Sequence, residues 1–82
     1  MIHVLFFAQL REQLQCGELS LDKQTEQTVS QLLEHLILLR PHWAEFLHNK
    51  KLLVAVNKTL VKTSHSLQPG DEVAFFPPVT GG

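Results

Sequence analysis

The chain opens on a largely apolar stretch from Ile2 to Phe7, in which His3 is the one polar residue. It is short and rich in strand formers, which predicts a first strand. Ala8–Gln15 mixes polar and apolar residues and is expected to be a connection. Cys16 and Gly17 mark a turn. In Glu18–Asp22, Leu19 and Leu21 share one face, so a second strand is expected, hairpinned to the first. The rhythm changes at Thr28. Its hydroxyl suits the cap of a helix, and Gln31, three residues on, completes a capping box. Val29, Leu32, Leu33, Leu36, Ile37 and Leu39 then recur near helical spacing, with Ser30, Gln31, Glu34 and His35 elsewhere on the wheel. Pro41 ends that helix, because proline disfavours helical geometry in the residue before it. A second, short helical turn is expected over His42–His48, with Trp43, Phe46 and Leu47 as its apolar side.

Strand patterns return in the last third. Leu52–Val56 is continuously apolar, as in a buried central strand. Asn57 and Lys58 form a turn into a short strand, Thr59–Val61. Gln68, Pro69, Gly70 and Asp71 form a strong turn signal before a last strand, Glu72–Phe76. Pro77 and Pro78 stop that strand because they offer no ladder donors. Strands at both ends and one main helix between them predict an α+β domain, a mixed sheet packed on that helix. The domain is expected to span 1–76 and an extended tail 77–82.

One helix covers one face of a sheet. Strand alternation puts Ile2, Val4 and Phe6 on one face and Leu5 and Phe7 on the other. It likewise sets Val73 and Phe75 against Ala74 and Phe76. Phe7 and Phe76, with Leu60, are therefore expected on the uncovered side. Either loops cover them or they form an apolar patch for a partner.

Composition narrows the function classes. The 82 residues fit one domain, and 44% hydrophobic content is ordinary for a globular chain. A net charge of −1 offers no basic footprint for nucleic acid and no polybasic patch for a membrane surface. No apolar run approaches the length of a membrane span. The opening MIHVLFFAQL lacks the basic start and small-residue cleavage site of a signal segment. A single cysteine, Cys16, excludes an internal disulfide and suits a reducing cytoplasm.

Internal residues offer little chemistry. His35, His42 and His48 lack the four-residue spacing that pairs two metal ligands on one helix face, and no Cys or acidic cluster completes a set, so no metal is expected. Cys16 has no obvious local group to lower its pKa. Asp71 and Glu72 point to opposite faces as strand neighbours, and Asp71 is expected to serve the turn. The four glycines, at 17, 70, 81 and 82, form no phosphate loop.

The ending FFPPVTGG is different. Pro77 and Pro78 favour an extended backbone. Through Val79 and Thr80 to Gly82 such a segment reaches about 18–20 Å. Gly81 and Gly82 make a tip without side chains, able to enter a channel where a Cβ would clash. A carboxylate is inert as an acyl donor until activated. Adenylation makes it an electrophile, and a sulfur nucleophile can convert it to a thiocarboxylate. The terminal carboxylate of Gly82 is thus the expected working group.

LFFAQLRE (5–12), LLVAVNKTLV (52–61) and LQPGDEVAFFPPVTGG (67–82) together resemble the small-subunit family of molybdopterin synthases. The resemblance covers essentially the whole chain. It implies a ubiquitin-like β-grasp fold with a flexible Gly-Gly tail. It also implies a sulfur carrier without an active site of its own. Gly82 would be adenylated by an activating enzyme using ATP, then thiolated through a sulfur-donating desulfurase system. The tail would enter the large synthase subunit, where the active-site residues are expected, and give sulfur for the dithiolene of molybdopterin. No bound cofactor is implied. The family assembles as a heterotetramer of two small and two large subunits. Phe7, Leu60 and Phe76 match positions that pack on partners, and Arg11 matches one that contacts the activating enzyme. The alternatives are a carrier for the thiamine thiazole, a protein modifier joined to lysines through its Gly-Gly end, and a structural domain with incidental glycines.

Overall fold

The computed structural model describes residues 1–22 and 27–77. Its elements are β1 (Ile2–Phe6), α1 (Ala8–Leu14), β2 (Glu18–Leu21), α2 (Val29–Leu39), a 3-10 turn (Pro41–Trp43), α3 (Ala44–Leu47), β3 (Leu53–Val56), β4 (Thr59–Val61) and β5 (Glu72–Phe76). The strands form one sheet in the order β2-β1-β5-β3-β4. β1 and β5 pair in parallel, and the other neighbours are antiparallel. A mixed sheet grips one main helix, as expected of a β-grasp fold.

The core lies between that helix and one sheet face. Ile2, Val4 and Phe6 of β1 alternate inward with Val73 and Phe75 of β5 and meet Val29, Leu32 and Leu36 of α2. The parallel register sets Val4 beside Val73 and Phe6 beside Phe75. Phe6 stacks on Phe75 at 5.9 Å and meets Trp43 edge-on at 5.3 Å. Trp43 is buried with the guanidinium of Arg40 5.6 Å from its ring centroid.

Local signals explain the boundaries. Thr28 accepts a hydrogen bond from the Gln31 amide at 3.2 Å, and the Gln31 side chain accepts one from the Thr28 amide at 3.2 Å. The expected capping box is therefore formed. Asn57 and Lys58 both adopt left-handed backbone, with φ of 50° and 71°. That geometry suits a two-residue hairpin turn because its twist matches the flanking strands. Gly70 has φ 90°, and the Asp71 amide closes the turn onto the Gln68 carbonyl at 3.1 Å.

Several expectations need correction. Ala8–Gln15 is not a plain connection, since Ala8–Leu14 is helix. Leu10 and Leu14, four residues apart, are its buried positions. β1 and β2 do pair antiparallel, but this helix joins them instead of a tight hairpin turn. Leu39, counted on the apolar stripe of α2, is 56% exposed, because it is the last residue of the helix and the chain leaves through Arg40 and Pro41. The helical turn after Pro41 is as expected, with Trp43 and Leu47 buried and Phe46 half-buried.

Gln15 caps α1 in left-handed backbone at φ 54°. A side chain there is strained, and glycine is the usual residue at such a position. Gln15→Gly is expected to stabilise the fold by about 0.5–1 kcal/mol, the relieved strain exceeding the added chain entropy. Thermal unfolding checks this, and an unchanged or lower midpoint counts against it.

Candidate functional site on the open face of the sheet

The sheet face turned away from α2 is built from alternate residues of all five strands. Across β3, β5 and β4 the register pairs Leu53 with Phe76, and Ala55 with both Ala74 and Leu60. Leu5 lies beside Ala74 in the parallel pairing. Phe7, one residue past β1, stacks flat on Phe76, with centroids 4.9 Å apart and planes 9° from parallel.

Three of the expected contact residues meet here. Phe7 is 40% exposed, Leu60 is 67% exposed and Phe76 is half-buried. Ala55 and Ala74 are small, so Phe7, Phe76 and Leu60 stand around a shallow depression of about 350 Å³. Lys58 and Glu72 complete its lining. The arrangement has an apolar centre and a charged margin, as at a protein interface. No loop among the described residues closes over it, which answers the alternative left open by the alternation.

Arg11 sits apart from the depression, on the exposed side of α1. It borders an adjacent groove that shares Phe7 with the depression. Leu53, on the same open face, was not anticipated there, because an unbroken apolar run hides which residues face outward. Its exposure is legible only once Phe76 is known to be its partner across the ladder. Toward β2 the face turns polar. His3 lies 3.0 Å from the Ser20 hydroxyl through Nδ1 and 3.1 Å from the Glu18 carboxylate through Nε2.

The platform under Leu60 is tied to the start of β5. The Asn57 amide donates to the Glu72 carbonyl at 2.8 Å, and the Glu72 amide donates to Asn57 Oδ1 at 3.0 Å. Asn57 Nδ2 donates to Asp71 Oδ1 at 2.9 Å, and Asp71 Oδ2 accepts from the Gln68 amide at 2.8 Å. Asp71 therefore serves the turn, as expected, and holds the hairpin as well.

Pro77 follows Phe76 directly and is half-buried. Pro78, Val79, Thr80, Gly81 and Gly82, the other tail residues singled out, lie outside the described residues. Cys16 is a free thiol whose Sγ lies 3.4 Å from the Glu18 carbonyl. Among the described residues, no group of three or more His, Cys, Asp or Glu is placed to hold a metal ion. No helix there is long and apolar enough to cross a membrane.

A family model described as the ThiS family matches residues 4–82. A molybdopterin synthase sulfur carrier subunit from Escherichia coli is 51% identical, and all of both chains is covered. One from Haemophilus influenzae is 45% identical, again over all of both chains. Among solved structures, SAMP1 from Haloferax volcanii aligns with a TM-score of 0.82 at 25% identity, covering 99% of this chain and 98% of that one. These likenesses agree with the β-grasp reading.

Phe75 and Phe76 are chain neighbours on opposite faces, so the same truncation separates folding from docking. Phe75→Ala is expected to lose about 3–5 kcal/mol of stability, as for a fully buried ring. Phe76→Ala is expected to weaken partner binding by about 2 kcal/mol, and its folding less than Phe75→Ala does. Thermal unfolding of the free chain and titration against a large synthase subunit measure the two effects. The reverse order would reverse the face assignment.

Proposed function

The chain belongs to the ThiS family, and from that premise we propose that it is the sulfur carrier subunit of a molybdopterin synthase. The whole-length relatives at 51% and 45% identity both bear that description, which favours this product over the thiamine thiazole. The observation that carries the mechanism is the placement of Phe76. Its ring belongs to the open face, and the next residue, Pro77, begins the segment that leads to Gly81 and Gly82. A partner seated on that face receives the segment from its edge.

In this reading the large synthase subunit docks on Phe7, Leu60 and Phe76. Two large subunits lie at the centre of a heterotetramer, with a carrier at each end. An activating enzyme meets the carrier first, with Arg11 among its contacts. A Gly82 carboxylate oxygen attacks the α-phosphorus of ATP, and pyrophosphate leaves. A sulfur nucleophile supplied by a desulfurase system then displaces AMP, so sulfur replaces one carboxylate oxygen. The carrier supplies the reactive atom, and the large subunit supplies the site in which it is transferred to the pterin precursor. Gly81 and Gly82 suit this task because they carry no side chain into a narrow channel. The chemistry belongs in a reducing cytoplasm, where the free Cys16 thiol is also at home.

Adding one alanine after Gly82 tests the reading. The extension moves the terminal carbonyl carbon by about 3.5 Å. A misplacement of 1 Å can cost on the order of 100-fold in rate. The extended chain is expected to dock on the large subunit yet fail in sulfur transfer. Thiocarboxylate formation adds about 16 Da, which mass spectrometry localises to the last peptide. Near-normal thiolation and turnover of the extended chain, without trimming, would remove the placement of the Gly82 carboxylate from the mechanism.

A further inference from the structure

The guanidinium of Arg11 lies against the backbone of Gly17. A Cβ at Gly17 would stand 2.9 Å from Arg11 Nε, 3.1 Å from Cζ and 3.3 Å from Nη2. The missing side chain is thus what leaves room for the guanidinium. Backbone geometry does not account for this glycine, since Gly70 is the glycine with positive φ among the described residues. The backbone around it is pinned on both sides. The Gly17 carbonyl accepts from the Phe6 amide at 2.9 Å, and the Cys16 amide donates to the Arg11 carbonyl at 3.2 Å. If the space were filled, the end of the Arg11 side chain would yield before the chain did.

The Arg11 side chain is exposed and makes no hydrogen bond or ion pair with the described residues. The carboxylate of Glu18 borders the same groove but is held 3.1 Å from His3. The groove, about 260 Å³, is lined by Leu5, Phe6, Phe7, Arg11, Gly17 and Glu18. It therefore joins the docking depression at Phe7. An arginine without a side-chain partner among the described residues, at the margin of an apolar face, suits a carboxylate on a docking protein.

We infer that Gly17 is a positioning residue: by leaving the space beside it empty, it sets the Arg11 guanidinium next to Phe7, where it meets an acidic side chain of the activating enzyme. This rests on the reading of Arg11 as a contact for that enzyme. Gly17 itself touches no reacting atom and acts through Arg11.

A double-mutant cycle tests it, with full-length carrier, purified activating enzyme and ATP, and with pyrophosphate release as the readout. Arg11→Ala is expected to raise the half-saturating carrier concentration about fivefold, as for loss of a marginal ion pair, with kcat unchanged. Gly17→Ala is expected to raise it about threefold, again with kcat unchanged, because the charge is displaced and not deleted. In the Arg11→Ala background, Gly17→Ala should add nothing, since neighbours acting through one group are not additive. If Gly17→Ala alone behaves as wild type while Arg11→Ala is impaired, the positioning role is overturned and the contact reading stands. A Gly17→Ala penalty that persists in full without Arg11 also overturns it. If Arg11→Ala has no effect, the contact reading falls and the inference with it. Unfolding of Gly17→Ala within about 2 °C of wild type is expected, and a fall of more than about 5 °C would show that the backbone yields instead.

Discussion

A five-stranded sheet has two faces, and α2 covers only one of them. Most of the molecule follows from that constraint. The covered face takes the bulky side chains of β1 and β5 and closes a core around Phe6, Phe75 and Trp43. The other face has no layer of its own. On a strand that must alternate, every residue placed inward fixes a neighbour outward. The outward neighbours at the end of β5 and just past β1 are aromatic, so they shield each other by stacking. A small domain has little spare apolar surface to leave in water. An aromatic pair on the open face is therefore more informative than the same residues inside.

β5 links the two faces because it lies at the middle of the sheet. It pairs with β1 on one side and β3 on the other, so its position is fixed by two ladders. Phe75 is held in the core and Phe76 on the open face by the same backbone. Pro77 thus follows a strand at the middle of the sheet, paired on both sides. For a carrier this placement matters, because the end of the chain must be delivered to a fixed place after docking.

Much of this was legible in the residues. The Thr28 capping box, the Asn57–Lys58 turn, the Gly70 turn and the bounds of Glu72–Phe76 each have a local cause, and each appears as expected. Alternation along β1 and β5 was enough to place Phe7 and Phe76 on the open side, given a single covering helix. What escaped was set by tertiary contact. Helix α1 is only seven residues long, too short to be stable alone, and Leu10 and Leu14 form its buried side only against the core. The outward position of Leu53 depends on register with Phe76, which an apolar run does not disclose. The groove holding Arg11 against Gly17 depends on two segments meeting across a turn, and no spacing rule predicts it.

The same distinction explains why the open face is ready to bind. Leu60 sits on a three-residue edge strand, an element that alone would fray. It is steadied at its turn by the Asn57 clasp, which satisfies the Glu72 backbone and the Asp71 carboxylate together. Asp71 in turn caps the Gln68 amide, so one network joins the β3–β4 hairpin to the turn that feeds β5. Leu60 and Phe76 are thus carried by elements tied to each other at one end and paired through β3 along their length. Ordering a loose surface on binding weakens affinity, because the lost freedom must be offset by new contacts. Here the backbone is tied by the ladders and by the polar clasp at the margin of the apolar centre. Asn57, outside the lining of the depression, therefore helps to define the surface that Leu60 and Phe76 form.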